Sequence, residues 1–381
     1  MVQTALFSGS IDRPDGEGAP PPPARARRAL PMLGEEIGVQ KDIRYVAAAA
    51  RSVLNGPETT GMGYWSVNPY VGCAFGCAYC YARYAHRYRM ERLQGNGGGG
   101  DESGEPEMPA WLAFERRIFV KQNAPALLRA ALRRHLGERS TARRRVESIV
   151  IGTATDPYQP AERRYRVTRG VLESLAEVSG LHVAIITKSP LVTRDVDVLA
   201  RLASRSSLTV HVSLITLDRE LARRIEPRSP TPESRLRAIA RLREAGIDVG
   251  VNVMPVLPGI TDRPSDLEAL VRAIAGAGAT FAGACALRLR SDARKRYLAF
   301  VEAEFPELAG RYRATYAHGH QAGDRYRDGL RHVFARLCDR YGIEVWGRRA
   351  EDDEDDDDAP AELRAAASGM ALGGEQLALE L

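Results

Sequence analysis

The sequence predicts an α/β fold on a parallel sheet, a full or partial α/β barrel, with an open doubly wound sheet as the other arrangement that fits. Three observations predict it. Short apolar runs alternate with stretches of helical periodicity. Thr and Gly stand where those helices would begin and end. Polar residues gather just past the apolar runs, where both architectures place their chemistry.

Residues 1–40 include GAPPPPARARR and read as a disordered or loosely docked arm. The core begins near residue 60. Trp65–Val71 is the first strand candidate and runs into a cysteine-bearing loop. Residues 95–109, GNGGGGDESGEPEMP, read as a flexible surface insertion. Their glycines lack phosphate-loop spacing and no Lys-Ser or Lys-Thr pair follows. Arg116–Lys121 is a further strand candidate. Ser148–Thr153, His182–Thr187, Leu208–Leu214, Asp248–Met254 and Thr280–Leu287 follow as apolar strand runs.

The helical stretches Thr168–Val178, Thr193–Ala203 and Thr231–Ala245 each open on a Thr that can cap, the last with Pro232 in its first turn. Gly180 and Gly246 fall where helices should stop. This strand–helix rhythm implies right-handed crossovers between parallel strands. About six units suit one domain over residues 60–305 better than two domains. Residues 306–347 read as a helical extension, and 348–381 as an acidic disordered tail.

Composition narrows the function. With 44% apolar residues the chain can bury a sizeable core. No apolar run is long enough to span a membrane, and the first residues lack the basic-then-apolar order of a secretory signal. A cytoplasmic protein without a membrane partner is expected. Five cysteines in 381 residues make no disulfide framework, so a cluster of them points to metal or catalysis. The net charge of +5 conceals an asymmetry. From Glu351 onward eleven acids stand against Arg364, giving −10 and leaving +15 for the rest. The acidic run Glu351–Asp358 reads as a solvated segment, or as one that lies over a basic surface in place of nucleic acid. The basic body makes nucleic acid a candidate partner, although Arg-rich composition also accompanies GC-rich coding.

Three of the five cysteines, Cys73, Cys77 and Cys80, lie in NPYVGCAFGCAYCYAR, residues 68–83. The spacing is C-x3-C-x2-C. Zinc sites favour two Cys pairs, or a Cys pair with a His pair. Here His86 is the nearby candidate for a fourth ligand. Three thiolates suit a cubane with one iron left open, because a [4Fe–4S] cluster normally takes four cysteines. Gly72 and Gly76 supply the permissive backbone that three ligands in one loop require. Polar residues collect at the strand ends: Thr153, Thr155 and Asp156, then Thr187, Lys188 and Ser189, then Ser213 and Thr216, with Asn252 inside the next strand.

GCAFGCAYCYAR resembles the cluster loop of radical S-adenosylmethionine (SAM) enzymes, whose pattern is C-x3-C-x-aromatic-C; Tyr79 takes the aromatic position. GTATDPYQPAE (residues 152–162), TKS (187–189), SLITLD (213–218), IEPRSPTPESRL (225–236) and VMPVLPGITD (253–262) extend the resemblance to the spore photoproduct lyase-like branch, over roughly residues 60–300. The resemblance implies a partial (β/α)6 barrel, a [4Fe–4S] cluster and SAM as cofactors, and an external electron donor of the flavodoxin or ferredoxin type. It implies reductive cleavage of SAM to a 5′-deoxyadenosyl radical that abstracts hydrogen from a substrate not identified by sequence. The branch name adds a DNA lesion as a candidate substrate and lyase as a candidate class.

By resemblance Cys73, Cys77 and Cys80 are the cluster ligands. Thr153, Thr155 and Asp156 stand where the family often carries a GGE-like segment for the SAM amino group. Lys188, Ser189 and Ser213 are candidates for the SAM carboxylate or ribose, or else are strand-end caps. Arg228 is a candidate anion ligand; Arg228 and Arg235 could equally pair with Glu226 and Glu233 to hold the next helix. Cys285, at the end of the last strand, is a candidate hydrogen-atom donor or a core residue. Cys338 reads as core. Tyr81, Tyr84 and Tyr88 read as packing residues after the cluster. A second reading stays open: a non-enzymatic nucleic-acid-binding module holding zinc or an iron–sulfur cluster.

Overall fold

The computed structural model describes residues 35–57, 64–83, 110–136 and 148–346. The arm over residues 1–34, His86, Tyr84, Tyr88, the 95–109 insertion and the 348–381 tail lie outside them.

Parallel strands flanked by helices bury both faces, so they read as short, largely apolar runs. Six such strands form the frame: β1 (Trp65–Val67), β2 (Ser148–Ile151), β3 (His182–Thr187), β4 (Ser207–Ser213), β5 (Asp248–Val256) and β6 (Phe281–Ala286). A short seventh, β7 (Glu344–Val345), pairs in parallel with β6. Each strand lies next to its successor in the chain, and all six of these pairings are parallel. A doubly wound sheet reverses its order at a switch point. This one never does, which rules out that arrangement. A two-residue antiparallel strand, Leu54–Asn55, closes the other edge beside β1.

Alternation along the strands defines an inside and an outside. Ile149, Ile151, Val183, Ile185, Val210, Val212, Val249 and Val251 point one way and join a single apolar cluster. Leu172, Leu199, Leu242 and Leu270, from four flanking helices, pack in that cluster. The alternate positions are mostly small or polar, with Val150, Ile186 and Phe281 the apolar exceptions. Register pairs Val150 with Ala184, then Ala184 with Thr209; Ile186, His211, Gly250 and Phe281 form the next tier, and Ser213, Asn252 and Gly283 the one above. The fold is therefore a partial (β/α)6 barrel with its helices outside and a polar inner face.

The inner face is closed toward the strand starts by aromatic rings. His211 is fully buried, with ring centroids 5.0 Å from Phe281 and 4.9 Å from Trp346, both edge-on. A Cβ on Gly250 would lie 1.9 Å from the Phe281 ring, so only glycine leaves room for it. Gly250→Ala is expected to cost about 1–3 kcal/mol by overpacking, measured as a fall in the urea midpoint with unchanged slope.

Several boundaries differ from the sequence reading. Trp65–Val71 is two strands, because Asn68-Pro69 breaks it; Tyr70–Val71 pairs with Arg117–Val120 in a second sheet. That four-stranded sheet also holds the hairpin Glu36–Gln40 and Ile43–Ala47, so the docked structure starts earlier than the expected arm boundary at residue 40. The extension after 306 has two helices, Pro306–Thr315 and Asp324–Tyr341, and then contributes β7. Thr231 caps its helix as expected, accepting from the Ser234 amide. Thr168 and Thr193 do not cap. Glu162 accepts from the Thr168 and Arg169 amides instead, and Ser189 caps the turn Pro190–Asp195.

Candidate active site

The cysteine loop leaves Tyr70–Val71 and ends in the turn Tyr81–Arg83. A loop this tight exposes backbone polar groups to a dry interior, so each needs a partner. The Cys73 amide donates to Phe114 O (2.9 Å), the Ala74 amide to Gln159 Oε1 (2.9 Å) and the Ala78 amide to Ile225 O (2.9 Å). Thr155 Oγ1 and Gln159 Nε2 donate to Gly72 O at 2.6 and 3.1 Å. Arg228 Nε donates to Ala74 O (2.6 Å), and Arg83 Nη2 to Cys77 O (2.9 Å). The two glycines have φ of +89° and +66°. A Cβ at Gly72 would stand 2.8 Å from Phe114 O, and one at Gly76 2.3 Å from Glu115 Oε2. Both expectations for these glycines hold.

Cys73 and Cys77 are buried and Cys80 half-buried. The three thiols lie within electrostatic reach of one another, and burial pushes each thiol pKa up, that of Cys77 to about 12. Desolvated thiols in one loop are the donor set of a metal centre, since a bound cation deprotonates its sulfur ligands outright. Among the described residues no group of His, Cys, Asp and Glu is drawn together to hold a single metal ion. A cubane makes no such demand, because each thiolate takes a different iron. The residues present fit a [4Fe–4S] cluster with three protein ligands.

Beside the thiols runs a buried charge network. Tyr79 donates its hydroxyl to Glu226 Oε1, and Arg235 Nη2 pairs with Glu226 Oε2. Lys188 Nζ is 3.9 Å from Glu226 Oε1 and lies over the Tyr79 ring at 5.6 Å. Burial works to lower the Lys188 pKa, but Cys77 and Glu226 outweigh it and the pKa is raised. Burial likewise works against ionised Glu226, and Arg235 and Lys188 outweigh it, so its pKa is lowered. The aromatic position of the cysteine motif thus ties the loop to a positive group beside Cys77. Cys77 Sγ also stands 3.7 Å from Ser229 Oγ, a contact of the kind that tunes cluster sulfurs.

The expected strand-end residues divide into two sets. Asp156 accepts from Thr187 Oγ1 (2.7 Å), the Tyr158 amide (2.9 Å) and the Lys188 amide (2.7 Å), so it braces two strand ends. Thr153 Oγ1 accepts from Asn68 Nδ2 (3.0 Å), and Thr155 is held by Gly72 and Gln159. Ser189 is a cap, and Arg228 holds the cysteine loop and Glu115 (3.2 Å). Lys188 and Ser213 are the members set beside the thiols or on the inner face. Ser213 pairs in register with Asn252, whose Oδ1 takes His211 Nδ1 at 3.3 Å. Cys285 falls on the inner face by alternation, half-buried, with burial pushing its thiol up to about 11. Cys338 is core, as expected.

Arg235 pairs with Glu226, as one alternative proposed, whereas Glu233 pairs with Arg219. Arg83, Glu115 and Gln159 were not singled out from sequence. Arg83 and Gln159 stand inside the quoted motifs, so their polarity amid apolar neighbours was the available signal.

A parallel half-barrel with two buried thiols and one half-buried thiol at the C-terminal rim of its strands fits the class of iron–sulfur proteins. Residues 67–274 match the family model of the radical SAM superfamily. The chain belongs to that superfamily, and its cofactors are a [4Fe–4S] cluster and SAM. An uncharacterized protein of Mycobacterium tuberculosis (strain ATCC 25618 / H37Rv) is 36% identical over 325 residues, 83% of this chain and 88% of the relative. An uncharacterized protein of Methanocaldococcus jannaschii is 27% identical over 220 residues, 58% of this chain and 70% of the relative. Among solved structures, a mutant spore photoproduct lyase with dinucleoside spore photoproduct superposes with TM-score 0.57 at 14% identity, covering 82% of this chain and 86% of that one. Another mutant, with bound SAM and the same photoproduct, gives TM-score 0.54 at 15% identity over 79% and 81%. These structural matches describe the fold. The reading as a non-enzymatic metal module gives way to an enzyme. Among the described residues no helix is long and apolar enough to cross a membrane.

Proposed function

We propose that this chain uses Cys73, Cys77 and Cys80 to hold the cluster and acts by hydrogen abstraction on a damaged nucleic acid, as a lyase of the photoproduct-repair kind. The observation that carries the chemistry is the dry three-thiol loop with a cation, Lys188, beside it. The substrate reading rests on the +15 charge outside the acidic tail and on the likeness to a fold that holds a dinucleoside photoproduct. SAM, when bound at the open iron and reduced by one electron from a flavodoxin- or ferredoxin-type donor, supplies the carbon radical.

The chain's own residues do the rest. Gln159, Thr155, Arg83 and Arg228 fix the loop carbonyls and amides. Lys188 offers its ammonium to the SAM carboxylate, with Glu226 and Tyr79 holding it in place. Ser213, on the inner face, offers its hydroxyl to a SAM hydroxyl in this reading. Thr153, Thr155, Asp156 and Ser189 shape the rim rather than meet the cofactor with free groups. Cys285 remains a thiol at neutral pH, the form that can return a hydrogen atom.

Lys188→Ala should weaken SAM binding about 10–100-fold, the worth of a charge-assisted contact, with iron content unchanged. Equilibrium dialysis with labelled SAM reads the binding, and iron analysis of the same samples reads the iron content. The substrate reading is tested anaerobically with SAM, dithionite and photoproduct-bearing DNA. Loss of photoproduct is expected, slowed in Cys285→Ala. Formation of 5′-deoxyadenosine with the photoproduct untouched would remove DNA repair and leave the SAM chemistry standing.

A further inference from the structure

The outer wall of the cysteine loop carries an arginine cluster in which Arg296 has no ion pair among the described residues. Arg83 contacts Glu115 Oε2 at 3.4 Å, and Arg228 contacts the same carboxylate at 3.2 Å. Arg228 Nη1 reaches Asp42 at 3.7 Å, and Arg116 Nε reaches it at 3.6 Å. Arg296, half-buried on the helix Ser291–Glu304, faces Arg83, Arg228 and Glu115 and forms no ion pair or hydrogen bond among the described residues. Its neighbour Lys295 is exposed, also without an ion pair or hydrogen bond among them. Among the described residues, Arg116, Arg228 and Arg296 thus share two carboxylates, Glu115 and Asp42, and the exposed Lys295 adjoins Arg296 in the helix.

Like charges gathered on one face cost free energy unless something of opposite sign visits them. The place of this cluster says what. Arg228 and Arg83 donate directly to Ala74 O and Cys77 O, the carbonyls that flank the ligand cysteines. A partner seated on Arg296 and Lys295 is separated from the cluster loop by one layer of guanidinium groups. Nucleic acid bound there would face the loop's outer wall, away from the inner face that carries Ser213, Asn252 and Cys285.

We propose that Lys295 and Arg296, with the exposed side of Arg228, form the docking surface for an acidic one-electron carrier protein. This rests on the radical SAM reading. One electron leaves the reduced carrier and is taken up by the oxidised cluster, with no bond made or broken. Electrostatic docking of this sort speeds encounter more than it raises affinity, and it weakens with salt. Small, transient interfaces suit redox partners.

The test uses the full chain with its cluster and an acidic flavodoxin as probe. Affinity is measured by calorimetry at low and high salt, and 5′-deoxyadenosine formation is measured with reduced flavodoxin and, separately, with dithionite. The double variant Lys295→Glu, Arg296→Glu is expected to lose flavodoxin affinity at least tenfold and to lose flavodoxin-driven turnover. It should keep the dithionite-driven rate within twofold. Arg296→Lys should restore most of the binding. Unchanged affinity in the double variant, or affinity indifferent to salt, overturns the proposal. A failure of the dithionite arm in the parent chain speaks against the SAM chemistry, not against the docking surface.

Discussion

Cys77→Ala is expected to strip the protein of its cluster and of SAM cleavage while leaving the chain folded. Cys77 is the middle ligand, and its carbonyl and sulfur are both engaged, by Arg83 and Ser229. Alanine keeps the backbone that Arg83 grips, and removes one small buried group. The folding cost is therefore modest, while the iron that Cys77 would bind loses its thiolate. Iron and sulfide content after anaerobic reconstitution should fall to background, and 5′-deoxyadenosine formation with it. Circular dichroism should change little. Full iron and sulfide in this variant would show that Cys77 is no ligand.

The second large effect concerns stability. Glu226 is 2% exposed and is the shared acceptor for Tyr79, Arg235 and Lys188. Arg235 is itself 1% exposed, and its other donors go to Ser213 O (3.0 Å) and Pro230 O (2.9 Å). Removing the carboxylate leaves two cations in a dry site. Breaking a buried pair in that way costs about 3–5 kcal/mol, so Glu226→Ala should lower stability by that amount in urea denaturation. The same residue sets a pH dependence. Its folded pKa lies below the ordinary carboxylate value, so its contribution is present above that ordinary value and is lost as pH falls through the folded one. Glu226→Gln should be less stable than the parent near neutral pH and should converge on it in acid. A difference that stays constant down to strongly acidic pH would contradict the ion pair.

How legible the molecule was depends on where the information lies. His182–Thr187 was read with its observed boundaries, and β4, β5 and β6 to within two residues, because each is a short run of apolar residues: Val, Ile or Leu in the first three, Phe, Ala and Cys in β6. Glu36–Gln40 and β7 were missed: a mostly exposed five-residue strand and a two-residue edge strand carry almost no apolar pattern. Thr168 looks like a cap only until Glu162, six residues earlier, is folded against it and takes the amides. The three cysteines declare themselves by spacing. Their supports do not: Gln159 lies 85 residues from the amide it accepts, and Arg228 lies 154 residues from the carbonyl it holds. Arg228 reads either as an anion ligand or as a partner of the nearby Glu226 and Glu233, whereas its contacts are Ala74 O, Glu115 and Asp42, all remote in sequence. Long-range backbone satisfaction cannot be counted from one dimension.

The central claim is that three thiolates leave one iron of a [4Fe–4S] cluster for SAM. Electron paramagnetic resonance of the dithionite-reduced, reconstituted protein, titrated with SAM, addresses it directly. The account predicts close to four irons and four sulfides per chain and a cluster signal that shifts on adding SAM. Zinc in place of iron, or a cluster signal indifferent to SAM, would contradict it.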